Sequence, residues 1–129
     1  MPSNNAPTAD KIATLCAQAV DAKKADDIVI LDLRKISTFA DFFVICSGTS
    51  EPHLKAIVGE LQDSLKKDHG IRPLRVDGFP LSHWVVADFG DVVVHIFNEE
   101  KRRHFALEDL WSDAPRLPFA PVVPEPITK

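Results

Sequence analysis

From His83 to Phe97 the chain runs Trp84-Val85-Val86-Ala87, then Asp88-Phe89-Gly90-Asp91, then Val92-Val93-Val94-His95-Ile96. β-Branched residues at this density favour extended backbone, and a glycine between two apolar runs supplies the positive φ of a tight turn, so the stretch predicts a β-hairpin. With Phe89-Gly90 as a two-residue loop, Asp88 faces Asp91, Val86 faces Val93 and Trp84 faces His95. Alternation then gives one apolar face, Val85, Ala87, Val92, Val94 and Ile96, and one mixed face, Trp84, Val86, Asp88, Asp91, Val93 and His95. The apolar face has to be covered, and the rest of the chain supplies the cover.

Ile12, Leu15, Cys16, Ala19 and Val20 recur at helical spacing and predict a first helix from about Asp10 to Lys24. Asp27 to Arg34 and Asp41 to Cys46 are near-continuous apolar runs and read as buried strands. Ser47-Gly48-Thr49-Ser50 breaks the second strand, and Thr49 or Ser50 caps a helix with Pro52 in its first turn. That helix carries the stripe Leu54, Ile57, Val58, Leu61 and Leu65, and it ends at Gly70 after Lys66, Lys67 and His69. Arg72 to Val76 reads as a short strand before the turn Asp77-Gly78-Phe79-Pro80, and a final helix is expected from about Asn98 to Ser112, finishing on Leu107, Leu110 and Trp111. The order α-β-β-α-β-β-β-α predicts an α/β (α+β) domain, a mixed sheet of about five strands flanked by helices. Two connections look like hairpins, so the sheet is not purely parallel.

With 129 residues, 45% hydrophobic and 26% charged, the chain suits one domain, expected over residues 10–113. Residues 1–9 read as a disordered N-terminal tail; residues 114–129 hold five of the ten prolines and read as a proline-rich C-terminal tail. There is no apolar run near the roughly 18 residues that cross a bilayer and no secretion signal, so a cytoplasmic protein without a membrane partner is expected. Cys16 and Cys46 each sit in an apolar stretch and read as reduced, buried thiols. The formal charge is -4, from 15 Lys and Arg against 19 Asp and Glu, which argues against a phosphate-neutralising stripe and for a basic protein partner.

Trp84 and Phe89 among Asp77, Asp88 and Asp91 make an aromatic anchor ringed by acids, the pattern that suits a basic protein surface. Two carboxylates facing each other across a hairpin repel, so a cation is expected near Asp88 and Asp91. The sharper alternative is a nucleotidyltransferase-like enzyme, with Asp77, Asp88 and Asp91 on magnesium and Ser47-Gly48-Thr49-Ser50 cradling a phosphate. That pattern lacks a Walker lysine and an Asp-x-Asp pair, so neither a catalytic residue nor a cofactor is assigned. Asp88-Phe89-Gly90 also spells the kinase magnesium motif, without the Gly-rich and catalytic loops that would give it meaning. His53, His69, His83, His95 and His104 show no metal-binding spacing, and no metal site is assigned. His95, opposite Trp84, reads first as a packing residue and second as a partner contact. The run Lys101-Arg102-Arg103-His104 reads first as paired with Glu99, Glu100, Glu108 and sheet aspartates, and second as a minor RNA phosphate contact, Arg103 included. A homodimeric interaction module, pairing through an edge strand or exposed sheet face, is the third reading.

Asp32 with Ser37 and Asp41, Ser47-Gly48-Thr49-Ser50 with His53, Asp77-Gly78, Trp84 through His95, and Arg103 with Leu107-Glu108-Asp109-Leu110-Trp111 together resemble the ribosomal silencing factor (iojap-like) family in order and spacing, over about residues 10 to 114. The resemblance implies a nucleotidyltransferase-like fold without catalytic acids. It also implies binding to ribosomal protein fourteen of the large ribosomal subunit, which keeps the small subunit off and lowers translation when nutrients are short. Trp84, Asp88, Phe89 and Asp91 match the family's docking surface, and Asp77 stands where Glu is common. Phe105 replaces an aromatic that usually carries a hydroxyl, and Ser47 a usual Thr.

Overall fold

A computed structural model of the chain describes residues 8–78 and 83–119, the side chains of Phe105 and Leu110 excepted. The predicted tails therefore lie mostly outside the described residues, as do Phe79 and Pro80. The elements are α1 (Ala9–Ala22), β1 (Asp26–Asp32), β2 (Phe42–Gly48), α2 (Glu51–His69), β3 (Arg75–Asp77), β4 (Trp84–Asp88), β5 (Val92–Asn98), α3 (Glu99–Phe105), α4 (Leu107–Leu110) and β6 (Arg116–Leu117). They form the expected mixed α+β domain, with a sheet of six strands in the order β3-β4-β5-β2-β1-β6. β2 and β5 run parallel from Phe42 beside Val92 to Gly48 beside Asn98, while every other pairing is antiparallel.

α1 and α2 cover one face of this sheet. Ala13, Cys16, Ala17 and Val20 of α1 and Leu54, Ile57, Leu61 and Leu65 of α2 pack on Ile30, Phe42, Val44, Cys46, Val85, Ala87, Val92, Val94 and Ile96. This is the apolar hairpin face expected from the alternation. Burial pushes the thiols of Cys16 and Cys46 up to about 12, so both are inert packing groups at neutral pH.

The start of α2 is tied down by its own sequence. Ser50 is the N-cap, accepting a bond from the His53 amide at 3.1 Å, and Gly70 closes the helix with φ +67. The His53 ring joins two elements: its Nδ1 accepts from the Thr49 amide at 2.9 Å, and its Nε2 donates to the Lys23 carbonyl at the end of α1, 2.8 Å away. Gly48 is small for packing, since a Cβ there would stand 2.8 Å from Leu54 Cδ2.

Two boundaries differ from expectation. The last helix is broken at Ala106, whose φ of +47 turns the chain between α3 and α4. Arg102 holds both sides of the break, with its Nε and Nη2 on the Glu108 carboxylate at 3.1 and 2.8 Å. The turn lets Leu107 and Trp111 lie against the sheet. The domain also runs past the expected boundary at residue 113. Ala114 is buried, and Arg116 and Leu117 pair with Leu31 and Ile30 as a sixth strand. Pro115 and Pro118 limit this strand to two residues but do not prevent it, because an outer strand needs amides on one side only.

Replacing His53 with Ala removes bonds to both Thr49 and Lys23, and is expected to lower unfolding free energy by about 1–3 kcal/mol in urea titration.

Candidate functional site: the second face of the sheet

Among the described residues, the sheet face away from α1 and α2 is only partly covered. α4 and the residues after it lay Leu107 and Trp111 over Leu31, Leu33, Ile45 and Phe97, whereas Phe43, Trp84, Val86 and Val93 stay half-buried. Cross-strand register orders this face into rows. Asp77, Val86, His95 and Ile45 form one; Arg75, Asp88, Val93 and Phe43 form the next; Trp84, Phe97 and Ser47 form the third.

The hairpin turns one residue later than expected. The Phe89 amide donates to the Val92 carbonyl at 2.8 Å, leaving Gly90-Asp91 as the loop with Gly90 at φ +93 in its first position. A glycine with positive φ there is what a type II′ hairpin requires, and Phe89 could not adopt it without strain. Asp88 therefore faces Val93, not Asp91, and Trp84 faces Phe97, not His95. The opposed-carboxylate repulsion expected from the sequence is absent. Asp88 instead accepts the Gly90 amide at 2.8 Å and lies across from Arg75 on its other side. Because the pairing slides by two positions, every strand residue keeps its face.

Of the expected site residues, Trp84, Asp88, Asp77 and His95 share this face, with exposed Asp91 at its turn. Phe89 does not join them: it packs against the helix-side core, on the opposite face. Asp77 is exposed and lies 3.8 Å from Arg75. Arg103 is exposed on α3, lining a separate cleft of about 680 Å³ with Asp27, Arg102, Glu108 and Arg116. In the basic run, Arg102 turns inward, donating to the Ser47 hydroxyl at 2.8 Å as well as to Glu108.

Rings cross the face in a connected series. Trp84 stacks on Phe97 with centroids 5.0 Å apart, Phe43 meets His95 edge to face at 4.5 Å, and Trp111 meets Phe43 likewise at 5.9 Å. Sequence pattern does not single out Phe43 and Trp111 for this site, because cross-strand register and the break at Ala106 bring them here. The Trp84 Nε1–H donates to His95 Nδ1 at 3.2 Å. That bond requires the neutral imidazole with its proton on Nε2, and buried Nε2 meets no acceptor among the described residues. Burial holds the His95 pKa down at about 4. The imidazole is thus a neutral acceptor that fixes the plane of the indole.

The alternative site at Ser47-Gly48-Thr49-Ser50 is committed to internal bonds. The Thr49 amide is held by His53 Nδ1, the His53 amide by the Ser50 hydroxyl and the Leu54 amide by the Ser50 carbonyl, so these donors do not face a ligand. Among the described residues no group of three His, Cys, Asp or Glu side chains is placed to hold a metal ion.

A family model described as "Ribosomal silencing factor during starvation" matches residues 6–128. A ribosomal silencing factor from Halalkalibacterium halodurans is 42% identical over 113 residues, covering 88% of this chain and 96% of the relative. Another from Bacillus subtilis is 43% identical over 104 residues, covering 81% and 87%. A crystal structure of a Chromobacterium violaceum protein superposes with a TM-score of 0.78 at 28% identity, covering 95% of this chain and all (100%) of that one.

Because His95 titrates near 4 when folded against an ordinary 6.5, it favours the folded state fully above pH 6.5 and loses that contribution as pH falls towards 4. Urea titrations between pH 7 and 4.5 should show stability falling in this window, with a shallower slope in His95→Phe.

Proposed function

Since the chain belongs to the ribosomal silencing factor family and its role is therefore ribosome-associated silencing, we propose that it acts by occupying a site on the large ribosomal subunit. The site is ribosomal protein fourteen of that subunit, and the bound chain keeps the small subunit away by steric overlap. No bond is made or broken, so neither cofactor nor catalytic residue is needed. The observation that carries this reading is the half-covered sheet face on which Trp84 is held by Phe97 and His95, with Asp77 one row and Asp88 two rows further along the same face.

An anchor of this kind works through several physical effects. The indole offers a large apolar area whose rotamer is already restricted by stacking and by its Nε1 bond, so docking loses little side-chain entropy. The acids, with Asp91 at the turn, supply a field that draws in a basic protein and disfavours nucleic acid. With the formal charge at -4, long-range attraction to a basic partner adds to the same effect.

The alternative, a magnesium-dependent nucleotidyltransferase-like enzyme, would need the loop amides that His53 and Ser50 engage. Trp84→Ala is expected to weaken binding to purified large subunits by about 2 kcal/mol or more, as loss of a central aromatic anchor does. Co-sedimentation measures it; binding equal to wild type would remove Trp84 from the contact.

A further inference from the structure

The large exposed hydrophobic side chains among the described residues are Phe39 at 87%, Leu74 at 75% and Ile36 at 43%. They gather at one end of the sheet. The loop from β1 to β2, which carries Ile36 and Phe39, is joined to the β4–β5 turn because the Asp41 and Phe42 amides both donate to the Asp91 carbonyl, at 2.7 and 3.1 Å. Leu74 lies on the other side of that turn. Its amide donates to the Asp88 carbonyl, and its Cδ1 is 3.7 Å from where a Cβ on Gly90 would stand. Water-exposed apolar area of this size, concentrated in one place, marks a contact surface better than a single scattered side chain does.

Two further features say what would cover it. Ile36 and Phe39 line a groove of about 430 Å³ whose far wall is Trp111. Trp111 meets Phe43, Phe43 meets His95 and His95 accepts from Trp84, so the groove continues the proposed docking face around the end of the sheet. The charges at this end are unequal in availability. Arg34 is held by both oxygens of Asp32 and lies over Phe42, and Arg75 leans towards Asp77, while no salt bridge among the described residues engages Asp41, Asp88 or Asp91. Lys35 is the remaining cation of the loop.

We propose that this end of the sheet is a second contact for the same protein partner: an apolar side chain of a basic segment enters the groove between Phe39, Ile36 and Trp111, and its lysine or arginine neighbours meet Asp41 and Asp91. The proposal rests on the function proposed above. A protein segment fits better than an RNA strand, because unpaired carboxylates repel phosphates.

The test uses the full chain in co-sedimentation with purified large subunits over a range of salt concentrations. Phe39 is so exposed that Phe39→Ala should leave the thermal midpoint unchanged while weakening binding about tenfold or more. The double variant Asp41→Asn with Asp91→Asn should bind more weakly at low salt and show a flatter salt dependence. If Phe39→Ala binds as wild type while Trp84→Ala loses binding, the second contact is overturned and the proposed function stands. If both variants bind as wild type, the docking face itself is misplaced. Binding strengthened by the Asp41 and Asp91 substitutions would mean an RNA contact and would also overturn the proposal.

Discussion

The molecule depends on the parallel pairing of β2 with β5. On one side of that seam stands the antiparallel group β3-β4-β5, on the other β2-β1-β6, and the seam holds them at one register from Phe42 beside Val92 to Gly48 beside Asn98. A parallel pair needs a long crossover, and α2 is part of it. That crossover obliges one sheet face to carry helices. Among the described residues, the other face receives the short α4 and the few residues between it and β6, which leave an aromatic surface partly open there.

Much of the fold was legible because period is a strong signal. The stripes of α1 and α2, the apolar runs of β1 and β2, and the alternation in β4 and β5 are each written in residue spacing. The two-residue strand β6 was not, since a pair of residues between Pro115 and Pro118 has no period to read. The break at Ala106 was equally hidden: alanine is the best helix former, and its positive φ follows from tertiary contacts of Arg102, Leu107 and Trp111.

The candidate site was legible in composition and less so in arrangement. Trp84, Asp88 and His95 fell on one face because parity survives a slide of two positions. The slide still changed every opposite partner, and Phe89 went to the helix side once the turn moved to Gly90-Asp91. Trp111 is distant in sequence, and only the turn after α3 brings it to Phe43.

The imidazole under the indole has one more consequence. A ring that stays uncharged until the medium is far more acidic than neutral gives its neighbour the same geometry across the whole range in which ordinary histidines change state. The anchor is thereby insulated from protons, and a modest acidification would leave its shape as it was.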